Sequence, residues 1–266
     1  MTTVFAPAEV AAFEREVWSR CARGYVDGFG SFSSQAITPL LDSVRITHGA
    51  RVLDVGTGPG HVAAAVTARG GIPVGIDFSE AMLEEARRFQ PGLDFRLASA
   101  EALPFANEEF DAVVVNFVLH HSADPTMLLK EAFRVLRQGG RIGLTVPAAL
   151  VKLEAFGLFL GAIERQGLAG ELPHGPLFGV SDFEIYQAMA VTAGFRDVLV
   201  RELPIAWTMP TIDTLVAAFA DYANMNAFPT EVRAAVEADV RQASRSYESS
   251  GQLTIPNPAI LVSAVK

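Results

Sequence analysis

Arg51-Val-Leu-Asp-Val-Gly-Thr-Gly-Pro-Gly-His-Val-Ala63 is the stretch on which the rest of the chain must be read. Arg51 to Val55 is an apolar run of strand length. Gly56, Gly58 and Gly60 break it, and Ala63 to Ala68 resumes in helix-forming residues. The stretch therefore predicts strand, tight turn and helix. Glycine suits such a turn because it reaches positive φ, and because a missing Cβ lets a ligand lie on main-chain N–H groups at a helix start. The same turn also occurs as a plain connection, so its meaning rests on its surroundings.

Outward from that turn the texture alternates. Strands are predicted at Arg51–Val55, Ile72–Asp77, Leu93–Leu97, Phe110–Phe117 and Arg141–Val146, with helices between them. The helix from Asp124 to Leu136 is well marked, with Asp124 as N-cap, Pro125 at its first position and Gly139-Gly140 as its stop. Such alternation means a parallel sheet covered on both faces, with ligands beyond the carboxyl ends of its strands. Upstream, about Val4 to Tyr25 carries Val10, Phe13, Val17, Trp18 and Cys21 on one helical face, with Glu14, Arg15 and Glu16 opposite. A second helix spans about Ser34 to Val44.

Downstream the regular alternation falters. Ala148 to Gly179 is apolar but punctuated by glycine and proline, a cover with a short helix near Leu150–Gln166. Ser181-Asp-Phe-Glu184 reads as a capping box opening a helix that stops at Gly194. Phe195 to Trp207 reads as one extended strand, Thr211–Asn226 and Thr230–Tyr247 as helices, and Ala259–Val265 as a last strand. The expected fold is α/β: a doubly wound, mostly parallel seven-stranded sheet whose last hairpin is antiparallel. The expected organisation is an N-terminal helical lid at 1–48 and a core at 49–266, with cap insertions at about 148–180 and 208–250.

Composition narrows the partners. Half of the 266 residues are hydrophobic, enough for a sizeable core. A net charge of −9 without a Lys/Arg cluster argues against nucleic acid and favours a cationic small ligand. The single cysteine, Cys21, rules out an intramolecular disulfide framework and reads as a small buried apolar residue. Neither a basic, apolar leader at the N-terminus nor an uncharged run long enough to span a bilayer is visible, so a soluble, cytoplasmic protein is expected. Whether the cap pairs two copies as a homodimer stays open.

Asp77 ends the second predicted strand about 20 residues past the first glycine, where a carboxylate accepts ribose hydroxyls, so an adenosyl group is the natural ligand. Phe78 follows it and can lie against a base. Ser79 is placed to cap the next helix. The register Gly58-x-Gly60-x-x-Ala63 also satisfies a dinucleotide fingerprint. Against a dinucleotide stands Asp54, just before the turn, which would repel a pyrophosphate and attract a sulfonium or amine. Asp54 can also serve by pinning the glycine loop.

Five ordered motifs go further: Val52-Leu-Asp-Val-Gly-Thr-Gly-Pro-Gly60, Gly75-Ile-Asp-Phe-Ser-Glu-Ala-Met82, Ala98-Ser-Ala-Glu-Ala-Leu-Pro-Phe105, Phe110-Asp-Ala-Val and Leu136-Arg-Gln-Gly-Gly-Arg141. Together they resemble the Rossmann-like class I S-adenosylmethionine-dependent methyltransferases, and most of all the small-molecule branch that includes the ubiquinone/menaquinone-biosynthesis enzymes. The resemblance covers about Gly49 to Val146. It implies S-adenosyl-L-methionine as cofactor, with Gly56, Gly58 and Gly60 against its methionine end and Asp54 supporting the loop. It further implies Asp77 on the ribose, Phe78 and Met82 along the adenine, Ser99, Ala100 and Glu101 at the adenine edge, and Asn116 with Phe117 at the amino-acid moiety. Ser99 departs from the usual Asp, although its hydroxyl still accepts a hydrogen bond. Tyr25 resembles the tyrosine with which related enzymes close over the cofactor.

Methyl transfer is an in-line displacement in which alignment and desolvation supply most of the acceleration, and a base is needed only if the acceptor must lose a proton. His120 and His121 follow the fourth strand at the mouth of the expected site. His121 is the preferred base, and His174 is a more remote candidate. The acceptor is expected between sheet edge and cap, among Tyr25, Phe29, Phe156, Phe159, Phe178, Trp207, Met209, Phe219, Tyr222 and Phe228. That composition favours an apolar or aromatic small molecule. A nicotinamide-dependent oxidoreductase and a non-catalytic adenosyl-binding protein are the competing readings.

Overall fold

A computed structural model of the chain describes residues 5–168, 173–249 and 251–266. Three helices precede the sheet: α1 (Pro7–Cys21), α2 (Phe29–Ser33) and α3 (Ile37–Val44). Next come β1 (Arg51–Val55), α4 (His61–Ala68), β2 (Ile72–Asp77), α5 (Glu80–Phe89), β3 (Asp94–Leu97), β4 (Phe110–Asn116), α6 (Pro125–Val135) and β5 (Leu136–Pro147). The remainder holds α7 (Glu154–Arg165), α8 (Phe183–Thr192), β6 (Arg196–Leu203), β7 (Ala206–Met209), α9 (Ile212–Tyr222), α10 (Thr230–Ser244), β8 (Glu248–Ser249), β9 (Gln252–Pro256) and β10 (Ala259–Val265).

The main sheet has seven strands in the order β3-β2-β1-β4-β5-β10-β6. The strands from β3 to β5 pair in parallel, and β10 runs antiparallel to both β5 and β6. Strand alternation sends Leu53, Val55, Val113 and Val115 towards α6 and α8, and Val52, Ala112 and Val114 towards α3 and α4. With both faces covered, the central strands are apolar on both sides. The winding reverses between β1 and β4, and the crevice beyond their carboxyl ends is where such sheets receive ligands. Among the described residues no helix is long and apolar enough to cross a membrane.

Several local expectations are corrected by tertiary pairing. Phe195–Trp207 is not one strand. Pro204 has no N–H to donate, the chain turns there with the Ile205 N–H on the Leu203 carbonyl (2.9 Å), and β6 and β7 join different sheets. Gly139-Gly140 does not stop α6, which ends at Val135 because Leu136 pairs with Phe110. The glycines sit in an irregularity of β5, where a Cβ on Gly140 would lie 2.8 Å from the Arg137 carbonyl. α8 is capped by Asp182, which accepts the Glu184 N–H at 2.9 Å, and not by Ser181. The helix expected over Ser34–Val44 begins with a tight turn at Ser34–Ala36. Val4, where the first helix was expected to start, lies outside the described residues, and α1 starts at Pro7.

Past β5 the chain builds a second core. α7, α9 and α10 pack with α2 and a three-stranded sheet in the order β7-β9-β8, around Trp207, Phe219, Phe159, Met209 and Ile255. This cap sits over the carboxyl edge of the main sheet, so the space between the two has an apolar lining on the cap side.

Candidate active site

The β1–α4 turn begins the site. Gly56 (φ +68°) passes so close to Val118 that a Cβ would come within 2.2 Å of its Cγ2. Gly58 (φ +52°) faces open space. Both line the cavity. Gly60 (φ +85°) caps α4 and is required by packing instead, since a Cβ there would lie 2.9 Å from the Phe95 ring.

Two buried carboxylates hold the turn. Asp54 accepts the Thr57 hydroxyl on Oδ2 at 2.6 Å, while its Oδ1 is buried without a partner. Asp77 accepts the Gly58 N–H on Oδ2 (3.0 Å) and the Ser79 N–H on Oδ1 (2.9 Å), tying the glycine turn to the end of β2. The Ser79 hydroxyl caps α5, leaving Asp77 free of that duty. Burial pushes Asp54 up to about 7 and Asp77 up to about 6, and in both cases the hydrogen bonds offset it only in part. An uncompensated acidic pair with an orphaned oxygen, under a turn with room above Gly58, fits a cationic adenosyl ligand.

The cavity continues from the turn into an aromatic chamber. Trp18, Tyr25, Phe29 and Phe32 wall it on the side of the N-terminal helices, and Phe156, Trp207 and Tyr222 on the cap side. The Tyr25 hydroxyl donates to Ser33 Oγ at 3.3 Å, and burial pushes its phenol up to about 12, so it stays neutral. Phe78 and Met82 also line the cavity. Asn116 lies at its edge with its amide already engaged: Nδ2 donates to the Ser33 carbonyl (3.1 Å) and Oδ1 accepts from Thr145 (2.7 Å). Phe117 adopts φ +57°, a conformation uncommon for a bulky residue, with its N–H on Thr145.

Not every expected residue converges on the cavity. Ser99 lines a separate recess with Phe78 and Arg15. Its hydroxyl donates to Glu101, whose other oxygen accepts from Ser122 at 2.6 Å. Ala100 packs against the main core. Of the expected acceptor wall, Phe159, Met209 and Phe219 are interior to the cap core and Phe228 packs against it. His174 stacks on Phe178 at 5.0 Å and stays outside the chamber.

His121 lines the cavity, with Nδ1 3.0 Å from a Glu14 oxygen. His120 lies beside it, ring centres 3.9 Å apart, with its Nδ1 buried and unpartnered. Burial, aided by the neighbouring His121, holds His120 well below the usual imidazole range and so neutral. Glu14, expected on the solvated face of α1, is only 5% exposed. Sequence reasoning missed Glu14, Trp18, Phe32 and Asn257 as site residues, and of the two candidate histidines it rightly brought both to the cavity. The one signal for Glu14 was its spacing four residues before Trp18, whose indole N–H it accepts at 2.9 Å.

Fold and site together define an α/β protein that holds an adenosyl ligand at the switch point of its sheet. Comparison with known proteins agrees. A family profile described as a methyltransferase domain matches residues 53–144. A demethylmenaquinone methyltransferase of Clavibacter sepedonicus is 40% identical over 138 residues, covering 49% of this chain and 53% of that protein. A ubiquinone/menaquinone biosynthesis C-methyltransferase of Geobacter sulfurreducens is 31% identical over 180 residues, covering 60% of this chain and 70% of that protein. A solved phosphoethanolamine N-methyltransferase of Haemonchus contortus, in complex with S-adenosylhomocysteine, shares the fold at a TM-score of 0.61 and 17% identity, covering 98% of this chain and 61% of that one. The chain spans about half the length of the first curated relatives it matches. It belongs to the class I S-adenosylmethionine-dependent methyltransferases, in the branch of the ubiquinone/menaquinone-biosynthesis enzymes.

Proposed function

We propose that this chain transfers a methyl group from S-adenosylmethionine to a small apolar or aromatic acceptor. The observation that carries this is continuity: the glycine turn with its two buried carboxylates opens directly into the aromatic chamber between lid and cap. The cofactor, when bound, supplies an electrophilic methyl. Gly56 and Gly58 give it backbone to rest on, Asp77 takes the ribose hydroxyls, Asp54 compensates its positive charge, and Phe78 and Met82 flank the adenine. Ser99 supports the adenine side through the recess it shares with Phe78, with Ala100 and Glu101 holding that loop. Asn116 fixes α2 against β4 and Phe117 closes the amino-acid end.

Aromatic walls exclude water and hold a flat acceptor by contact and not by charge. The names of the relatives, quinone-biosynthesis enzymes, support an acceptor of that kind. His121 is the general base wherever the acceptor carries a proton to be lost. A cytoplasmic location belongs to the same reading, supported by the single cysteine, which is free and buried.

Calorimetry with S-adenosylmethionine, S-adenosylhomocysteine and NAD(H) tests the cofactor, and a labelled-methyl screen over phenols, amines and quinone precursors tests the acceptor. The expected result is binding of both adenosyl compounds, no heat with NAD(H), and label transferred to an aromatic acceptor. Tight NAD(H) binding without response to either adenosyl compound overturns the proposal.

A further inference from the structure

The geometry points to Glu14 as the residue that makes His121 a base, by fixing which ring nitrogen carries the proton. This rests on the methyl-transfer reading above and extends it to a residue of the lid. Glu14 and His121 come from opposite sides of the site, α1 and the turn that follows β4, and their side chains are only 7% and 14% exposed. The Glu14 carboxylate has two claimants. Both carboxylate oxygens lie 3.0 Å from His121 Nδ1, and one of them also accepts the Trp18 indole N–H at 2.9 Å. A carboxylate only accepts, so Nδ1 is the donor of that bond. In the neutral ring the proton then sits on Nδ1, and Nε2 keeps the lone pair on a residue that lines the chamber. His120 offers no such arrangement, since its Nδ1 has no partner.

The carboxylate–imidazole pair assigns the acceptor's chemistry as well: a hydroxyl, such as a phenol, whose proton is in reach. Nε2 takes the hydroxyl proton as the oxygen–carbon bond forms and the carbon–sulfur bond breaks, and the sulfur keeps the electron pair as a neutral thioether. Because Glu14 rides on α1, the base is oriented only when the lid is seated. That helix is tied at two further points, with Ser19 Oγ 3.0 Å from Ser79 Oγ and Arg20 Nε donating to the Asp221 carbonyl at 2.6 Å. Closure over the cofactor and orientation of the base are one event.

The test is to remove the acceptor and then to restore it, because the Trp18 indole only donates and cannot replace it. In Glu14→Leu nothing accepts the Nδ1 proton, so the ring is released to carry its proton on Nε2 and the base is lost. In Glu14→Gln the amide oxygen still lies within reach of both Trp18 and Nδ1, so Nδ1–H is retained. The measurement is long-range ¹H–¹⁵N NMR of histidine-labelled protein saturated with S-adenosylhomocysteine, alongside kcat and KM with the phenol that the label screen identifies.

Expected are Nδ1–H in the wild type and in Glu14→Gln, and Nε2–H in Glu14→Leu. The leucine variant should lose about a hundredfold or more in kcat with little change in KM, the size seen when a base is held in its wrong tautomer, and the glutamine variant should recover most of it. Nε2–H in the wild type, or a leucine variant with unchanged tautomer or unchanged kcat, overturns the dyad and leaves the methyl-transfer reading standing. A wild type that does not bind S-adenosylhomocysteine sinks both.

Discussion

At the scale of single residues, the proposed ligand site turns on two buried carboxylates, Asp77 lining the cavity and Asp54 beneath the turn. Asp54 is pushed up to about 7 and Asp77 to about 6, so both hold a proton more tightly in the folded chain than in the unfolded one. Their contribution to stability is therefore complete below the ordinary carboxylate range and is lost as pH rises through about 6 to about 7. A sulfonium next to Asp54 favours the ionised forms, so it restores part of what is lost. Buried neutral His120 acts in the opposite sense at low pH, which makes the difference between two ligands the cleaner readout. The rise in Tm given by S-adenosylmethionine over that given by S-adenosylhomocysteine, which lacks the sulfonium charge, should grow between about pH 5 and about pH 8. Equal increments at both ends in a thermal-shift series would remove the charge role assigned to Asp54.

At the scale of the element, the β1–α4 turn separates two reasons for glycine that a motif cannot tell apart. Gly56→Ala drives a methyl to 2.2 Å from Val118 at φ +68°, and should cost about 2–4 kcal/mol in denaturant melts through strain and overpacking. Gly58→Ala meets nothing within 4 Å and pays only for its left-handed backbone, about 1 kcal/mol. Its methyl projects into the ligand's space instead, so calorimetry should show S-adenosylhomocysteine affinity reduced in a protein that melts nearly normally. A Gly58→Ala variant with unimpaired affinity would mean that the ligand does not lie on this turn.

At the scale of the whole molecule, the main sheet and the cap have separate hydrophobic cores, bridged by Phe117 and Ile205 and facing each other across the cavity. Trp207 is the largest fully buried side chain among the described residues, its ring tilted against Phe29 at 5.1 Å and its N–H donating to Ser31 Oγ (2.9 Å), so it ties the cap to α2. Trp207→Ala should destabilise the protein by about 3–5 kcal/mol. It should abolish methyl transfer while S-adenosylhomocysteine still binds at the glycine turn. A loss of cofactor affinity equal to the loss of transfer would show that cap and cofactor site are not separable.

The main sheet was legible in the residues because its determinants are local. Apolar runs of strand length, glycine at positive φ, Asp124 before Pro125 and Ser79 before α5 each act within a few residues of themselves. The seven strands, the antiparallel edge, and the carboxylates beneath the turn followed from such signals. What only tertiary structure decided depends on partners distant in the chain. Leu136 leaves α6 for a strand because Phe110 lies opposite, and Trp207 leaves β6 for a second sheet because β9 waits beside it. Glu14, a charged residue on a helix that periodicity assigns to solvent, is buried where the fold brings it against His121, 107 residues away, and against Trp18. Local sequence specifies the backbone's own preferences, but a buried charge is set by whichever group the fold brings to it, and that pairing leaves no trace in periodicity.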